Sequence, residues 1–258
     1  MIWSAPMQRQ KGFSIVELLI GMAVGLLLVA GIIQIFVGNK SSFEAQEEQT
    51  ALQENVRVSF FLLGLTLGHT GFRPNAFNDE SDSLSDDALA GTNGGNDKFG
   101  RDTISVRYVS DDNMHDCFGT ALADGEESLN RFHLGPAQAD GLRDLRCERS
   151  VIQPDGTVSA NSTNAIIDNV ESMHILYGVD TDNDRSVDRY VDAPGVGDFD
   201  AVLSLKVGLV MVTEGQLRPA GGPQTVTLFG TEQQYGSNTD RRQREVIEQV
   251  IALRNRLL

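Results

Sequence analysis

An almost unbroken apolar stretch from Leu18 to Val37, led in by Gly12-Phe13-Ser14-Ile15-Val16-Glu17, limits what this chain can fold into more than any other feature. As a helix, roughly 20 apolar residues span about 30 Å, the thickness of a bilayer's hydrocarbon. A secretory signal has a shorter apolar core of about 7–15 residues, closed by small residues at a cleavage site. Here the run passes through Gly38-Asn39-Lys40-Ser41-Ser42 into another helical pattern. Arg9 and Lys11 precede it, and Glu44, Glu47 and Glu48 follow. That asymmetry keeps the N-terminal side in the cytoplasm and exports the rest. A plain anchor leaves Glu17 unexplained, because an acidic side chain costs about 2.5–3.5 kcal/mol at the bilayer centre and less near the end of a span.

Gly-Phe-x-x-x-Glu behind a short basic leader resembles the class III signal of type IV pilins and pseudopilins, and the likeness runs from Met1 to about Leu67. The resemblance implies that a prepilin peptidase cuts between Gly12 and Phe13 on the cytoplasmic side and methylates the new N-terminal Phe13. It also implies that Glu17 meets the positive N-terminus of a neighbouring subunit during assembly, so that pairing compensates its burial. The first turn of its own helix favours the same negative charge.

Phe43, Leu52, Val56, Phe60, Leu63 and Leu67 recur at helical spacing, while Glu44, Glu47, Glu48, Glu54 and Arg57 supply a polar face. A single helix from Phe13 to about Leu67 would be roughly 80 Å long. Gly64, Gly68, Gly71 and Pro74 are expected to end it. Gly21 and Gly25 form a small-xxx-small spacing suited to close helix contact, though glycine is also simply common in membrane helices.

Residues 75–100 read as a solvated loop insertion in which Asp79, Glu80, Asp82, Asp86 and Asp87 are interleaved with Ser, Asn and Gly. Strand signals follow at Thr103 to Val109, Ile175 to Val179, Val187 to Val191, Leu203 to Leu209 and Thr225 to Phe229. The expected fold is α+β: a long N-terminal helix, half membrane-embedded and half amphipathic, packed on an antiparallel sheet as in type IV pilins. The segments are a leader at 1–12, an assembly helix at 13–37, an amphipathic continuation at 38–70 and an exported head at 71–258.

Cys117 and Cys147 fall in that exported part, where oxidising conditions let a disulfide persist. A zinc site with His115 is the competing reading, but no other histidine stands at a zinc-like spacing. Asp180-Thr181-Asp182-Asn183-Asp184-Arg185-Ser186-Val187-Asp188 matches the first, third and fifth positions of a calcium loop. Asp180, Asp182, Asp184 and Asp188 are therefore candidate Ca²⁺ ligands. Arg185 replaces the turn glycine, and Val191 stands where a bidentate Glu belongs, so a polar hairpin closed by its own Asp and Asn side chains is the alternative.

The C-terminal run at Val246 to Leu253 fits either helix or strand by periodicity. The resemblance reads it as a strand: Asp240 to Arg244 with Val250 to Arg256 looks like the last strand of the PilW minor-pilin family. Leu52-Gln53-Glu54-Asn55 with Arg57, Val170 to Asp180, and Phe199 to Leu209 resemble that family too. Many major pilins carry a proline kink, and this chain has no proline between Phe13 and Arg73. The resemblance implies a minor pilin that helps prime a type IV pilus for motility or adhesion. Its implied partners are other minor pilins, the prepilin peptidase and an inner-membrane assembly platform. The alternative is a large minor pseudopilin of a type II secretion system. A net charge of −15 argues against nucleic-acid partners. The cluster Arg241, Arg242, Arg244, Arg254 and Arg256 either meets an acidic face of a neighbouring subunit or balances local carboxylates, the second being the favoured reading. No catalytic motif for a nucleophile elbow, a zinc protease or a phosphate loop occurs, so no enzyme is expected.

Overall fold

The computed structural model describes residues 12–74, 88–94, 100–139 and 141–256. The chain forms two compact units, residues 1–47 and 48–258, and helix α1 (Ile15–Gly68) contributes to each. Helix α1 begins after Ser14, whose hydroxyl accepts a hydrogen bond from the Val16 N–H at 3.3 Å and so caps the first turn. It passes through Gly64, since one glycine costs only about 1 kcal/mol, and ends at Gly68. There the Asn255 amide donates to the Gly68 and Thr70 carbonyls at 3.4 Å each, satisfying acceptors that the helix leaves unpaired.

Among the described residues, the second unit carries eleven strands, most of them in two main antiparallel sheets. In order, the first sheet holds β1 (Leu89–Thr92), β2 (Thr103–Val109), β3 (Glu127–Leu134), β4 (Asp144–Ile152) and β5 (Val158–Asp168). The second contains β6 (Val170–Val179), β7 (Arg189–Val191), β8 (Val202–Val212) and, after a hairpin of β9 (Gln224–Leu228) and β10 (Thr231–Tyr235), β11 (Arg244–Ala252), in the order β11-β8-β6-β7. Only Asn169 separates β5 from β6, and its φ of 61° makes the turn that sends the chain from one sheet to the other.

Leu52, Leu63 and Leu67 of α1 enter one core with Ile104, Val106, Phe132 and Leu145 of the first sheet and Met173, Ile175, Leu205, Leu209 and Ile251 of the second. Full burial of each such side chain stabilises the head by about 1.5–3 kcal/mol. The buried stripe begins at Leu52; Phe43, expected on the same face, is 66% exposed. Asp102 ties the two sheets together, accepting from the Gly94 N–H at 3.0 Å and the Ile175 N–H at 2.8 Å. Next to it, Gly100 and Met173 exchange backbone hydrogen bonds with their neighbours across the gap, Met173 N–H to Gly100 O at 2.9 Å and Asp102 N–H to Met173 O at 3.2 Å.

The proposed loop 75–100 needs a correction where it is described. Leu89 and Ala88 are each 2% exposed, and β1 pairs with β2 from Leu89↔Val106 to Thr92↔Thr103. An apolar pair at the end of an acidic run is enough to dock a four-residue strand. Gly91, which reads as linker, is there for packing: a Cβ on it would fall 1.8 Å from the Tyr177 hydroxyl oxygen. Residues 75–87 and 95–99 of the predicted loop, and the leader with Arg9 and Lys11, lie outside the described residues.

Candidate functional site

Gly12, Phe13 and Ser14 precede the first helical residue, and Phe13 is 84% exposed. The candidate cleavage bond therefore lies in non-helical chain directly before a helix. Glu17 sits in the first turn of α1. Behind it the apolar span is exposed on every side, from Leu18 and Leu19 through Leu26, Leu27 and Leu28 to Phe36 and Val37. A helix apolar all round is stable only inside lipid or among other apolar helices. It is long and apolar enough to cross a membrane. A Cβ on Gly21 or Gly25 would meet nothing, so that small-residue face is open within this chain.

Farther along, the acidic loop leaves the end of β6 and returns as β7. Asp180 is buried, and its carboxylate accepts from the N–H groups of Asp182 (3.2 Å), Asn183 (2.7 Å) and Arg185 (2.9 Å). Asp188 accepts from the Thr181 N–H at 2.7 Å and its hydroxyl at 2.6 Å. Asn183 and Arg185 take φ values of 60° and 67°, which lets the loop coil around Asp180. One carboxylate oxygen from each of Asp180, Asp182 and Asp188 lies within 4.8 Å of the others. Asp184, expected in the same set, is outside that group and accepts instead from the Ser186 N–H at 2.8 Å. The Asp184 charge nevertheless pushes the Asp182 carboxyl above its ordinary range, whereas the Thr181 hydrogen bonds hold Asp188 below it. Such a triad can offer oxygen ligands to a hard cation.

Cys117 and Cys147 form a disulfide between β4 and the irregular segment before β3. This removes Cys117 as a zinc thiolate, the competing reading of His115 and Cys117. The segment is also pinned by Asp116, which pairs with Arg149 and accepts from the Phe118 and Thr120 N–H groups at 2.8 and 3.0 Å. The Cys117 N–H donates to the Asn130 side chain at 3.1 Å.

The arginine cluster is mostly paired within the head. Arg244, with a side chain 1% exposed, bonds both oxygens of Glu171, at 2.6 and 3.1 Å, and Asp240 at 2.5 Å. Arg242 also reaches Asp240, and Arg256 pairs with Asp200. Arg241 donates to the Arg218 carbonyl at 2.6 Å. Glu171 and Asp200 as the partners were not evident from the sequence, because strand register decides which carboxylate faces which arginine.

Comparison with known proteins agrees with these features. The family described as Type IV Pilus-assembly protein W matches residues 136–255, and the Prokaryotic N-terminal methylation motif matches residues 7–33. No curated protein matches the chain. Among solved structures, the type IV-like pilin TTHA1219 from Thermus thermophilus is similar at a TM-score of 0.51 and 14% identity, covering 79% of this chain and 96% of that one. At that identity the likeness shows a shared fold.

Proposed function

This chain belongs to the PilW family of type IV pilus-assembly proteins, and from that premise we propose that it is a minor pilin, processed between Gly12 and Phe13, that joins other minor pilins to prime pilus assembly. One observation carries the reading: a peptidase-type junction opens directly onto a helix whose apolar surface is exposed all round, and the same helix ends inside a folded head. Before assembly the helix lies in the inner membrane with its N-terminus cytoplasmic and its head periplasmic. After assembly the same apolar surface is covered by other subunits, and Glu17 pairs with a neighbour's methylated N-terminus. The head then stands outside the cell, where motility or adhesion uses it. The protein is a structural subunit with no catalytic role.

Intact mass of the protein from its own host's membranes, together with pilus assembly in a Glu17→Ala variant, tests this. A chain starting at methylated Phe13 and loss of assembly in the variant are expected. An unprocessed chain that still starts at Met1 overturns the pilin reading. Deleting the protein separates the pilus from a secretion role: loss of twitching with secretion intact supports the pilus, and the reverse supports a type II secretion pseudopilin.

The Asp180–Asp188 loop adds a second element. The convergence of three carboxylates within 4.8 Å favours a divalent cation held by Asp180, Asp182 and Asp188. A cation there would relieve the repulsion felt by Asp182 and fix the β6–β7 connection.

A further inference from the structure

Sheet edges expose unpaired backbone groups, and folded proteins protect them with short strands, charges, prolines, bulges or covering segments. Most edges in this head follow that rule. At four residues, β1 is short, β7 has only three and includes Arg189, and β10 has five and includes Glu232. The β11 edge carries Arg244, Glu245 and Glu248. It is also covered: the Gln224 amide bonds both the N–H and the carbonyl of Arg244, at 3.0 and 3.2 Å, and the Phe229 N–H donates to Glu248 at 2.6 Å.

The exception is β5. It is the last strand of its sheet and, at 11 residues, matches β8 as the longest described strand. From Val158 to Ile167 it has no charge and no proline, and most of its side chains are exposed. Its register with β4 is regular from Arg146↔Ala165 to Val151↔Ala160, with irregularities only at the two ends. Among the described residues, no strand pairs with its outer side.

We propose that β5 is a docking edge that takes an extended segment of a different protein as an added strand, a segment uncharged in its middle and basic at its ends. The charge pattern selects this occupant. On the adjoining β4, Arg146 pairs with Asp144, Glu148 with Arg131 and Arg149 with Asp116. At the two ends of β5 lie carboxylates with no ion pair among the described residues, Asp168 and, in the turn before it, Asp155, which accepts from the Thr157 N–H and hydroxyl at 2.9 and 2.6 Å. Arg143, next to the Asp168 end, donates to the Gly135 carbonyl at 2.8 Å. Backbone hydrogen bonds supply the affinity of such strand addition, and the flanking side chains supply its selectivity. A second copy fits poorly. Antiparallel pairing of β5 about Thr163 would put Val158 opposite Asp168 and bring the Asp155 turn of each copy to about 10 Å from the other's Asp168, like charges near each other in a chain of net charge −15. The proposal does not depend on the role in the pilus.

The test places a benzophenone photo-crosslinker in turn at Ser159, Asn161 and Thr163 of the full chain, expressed in its own host, with Gln234 of β10 as the control position. Crosslinked residues are then mapped by mass spectrometry. A ladder is expected: each two-residue step along β5 moves the crosslink two residues along one segment of one other protein, and that segment has basic ends. Ser162→Pro and Thr163→Pro complete the test. Adjacent residues point their N–H groups to opposite sides, so one of the two variants spares the β4 pairing and folds, and that variant loses the ladder. Crosslinks to another copy of this chain, crosslinks without register, or none above the Gln234 control overturn the proposal, as does a ladder that persists in the folded proline variant.

Discussion

Replacing Arg244 by alanine should be among the most damaging single changes in the head. The guanidinium is almost fully enclosed and neutralises Glu171 and Asp240 through three short hydrogen bonds. Its removal leaves Glu171 without its countercharge and Asp240 with Arg242 alone, and breaking a buried pair in this way costs about 3–5 kcal/mol. For a domain of this size that is a fall of about 6–20 °C in melting temperature. The pH dependence gives the argument its signature. Burial alone would raise the Asp240 carboxyl, but hydrogen bonds from Arg244 and Arg242 outweigh it and hold the group down at about 2, against an ordinary value of 3.8. A depressed carboxyl stabilises the fold above its unfolded value and loses that contribution as pH falls through the folded one. The wild type should therefore weaken between about pH 4 and 2, and the variant's deficit should be constant above that window and shrink within it. Scanning calorimetry of the full chain in mild detergent, following the transition of the head, reads both quantities. A melting temperature within about 2 °C of wild type, or a deficit that does not change on acidification, would refute this account of Arg244.

Three other outcomes are expected. Replacing both Cys117 and Cys147 by serine should cost roughly 3–4 kcal/mol through the loop they close, and thiol labelling of the denatured, unreduced wild type should find no reactive thiol. Gly91→Ala should destabilise the head by about 1–3 kcal/mol, because the new methyl would meet the buried Tyr177 hydroxyl; a neutral change in denaturant midpoint contradicts that packing. Millimolar Ca²⁺ should raise the melting temperature of the wild type and not of Asp188→Asn, and titration calorimetry without heat or shift returns the loop to a turn closed by its own side chains.

Residues whose pattern matched their environment were legible in the sequence. Helix α1 stood out because its span is apolar all round and then becomes a stripe, and Thr103 to Val109 was read with both its bounds. Strand β3 was missed because its inward positions start with Ser128 and Asn130, buried polar residues satisfied by each other (2.9 Å) and by the Cys117 N–H. That arrangement depends on a segment distant in sequence, so the alternation of apolar and polar residues is hidden. Strands β5 and β10 are too polar on both faces to show a period. Periodicity left the last segment open between helix and strand; the family resemblance read it as a strand, and its pairing with β8, from Arg244↔Val212 to Ala252↔Ser204, agrees. In the candidate loop, spacing pointed to carboxylates lying close together, and the fold gathers Asp180, Asp182 and Asp188 while leaving Asp184 outside that group.

The bonds from Asn255 to the Gly68 carbonyl at the end of α1 and to Thr70 just beyond it bring opposite ends of the head's sequence together. In the proposed role, a subunit built into a filament is loaded in tension along its helix. A pull on α1 arrives at its last turn, where it is shared with the chain's final segment and hence with β11, whose nine ladder pairings to β8 then act in parallel. Strands loaded in this way must shear together rather than unzip one bond after another. The head should therefore resist force applied through the helix far better than force applied at a loop such as the β4–β5 turn.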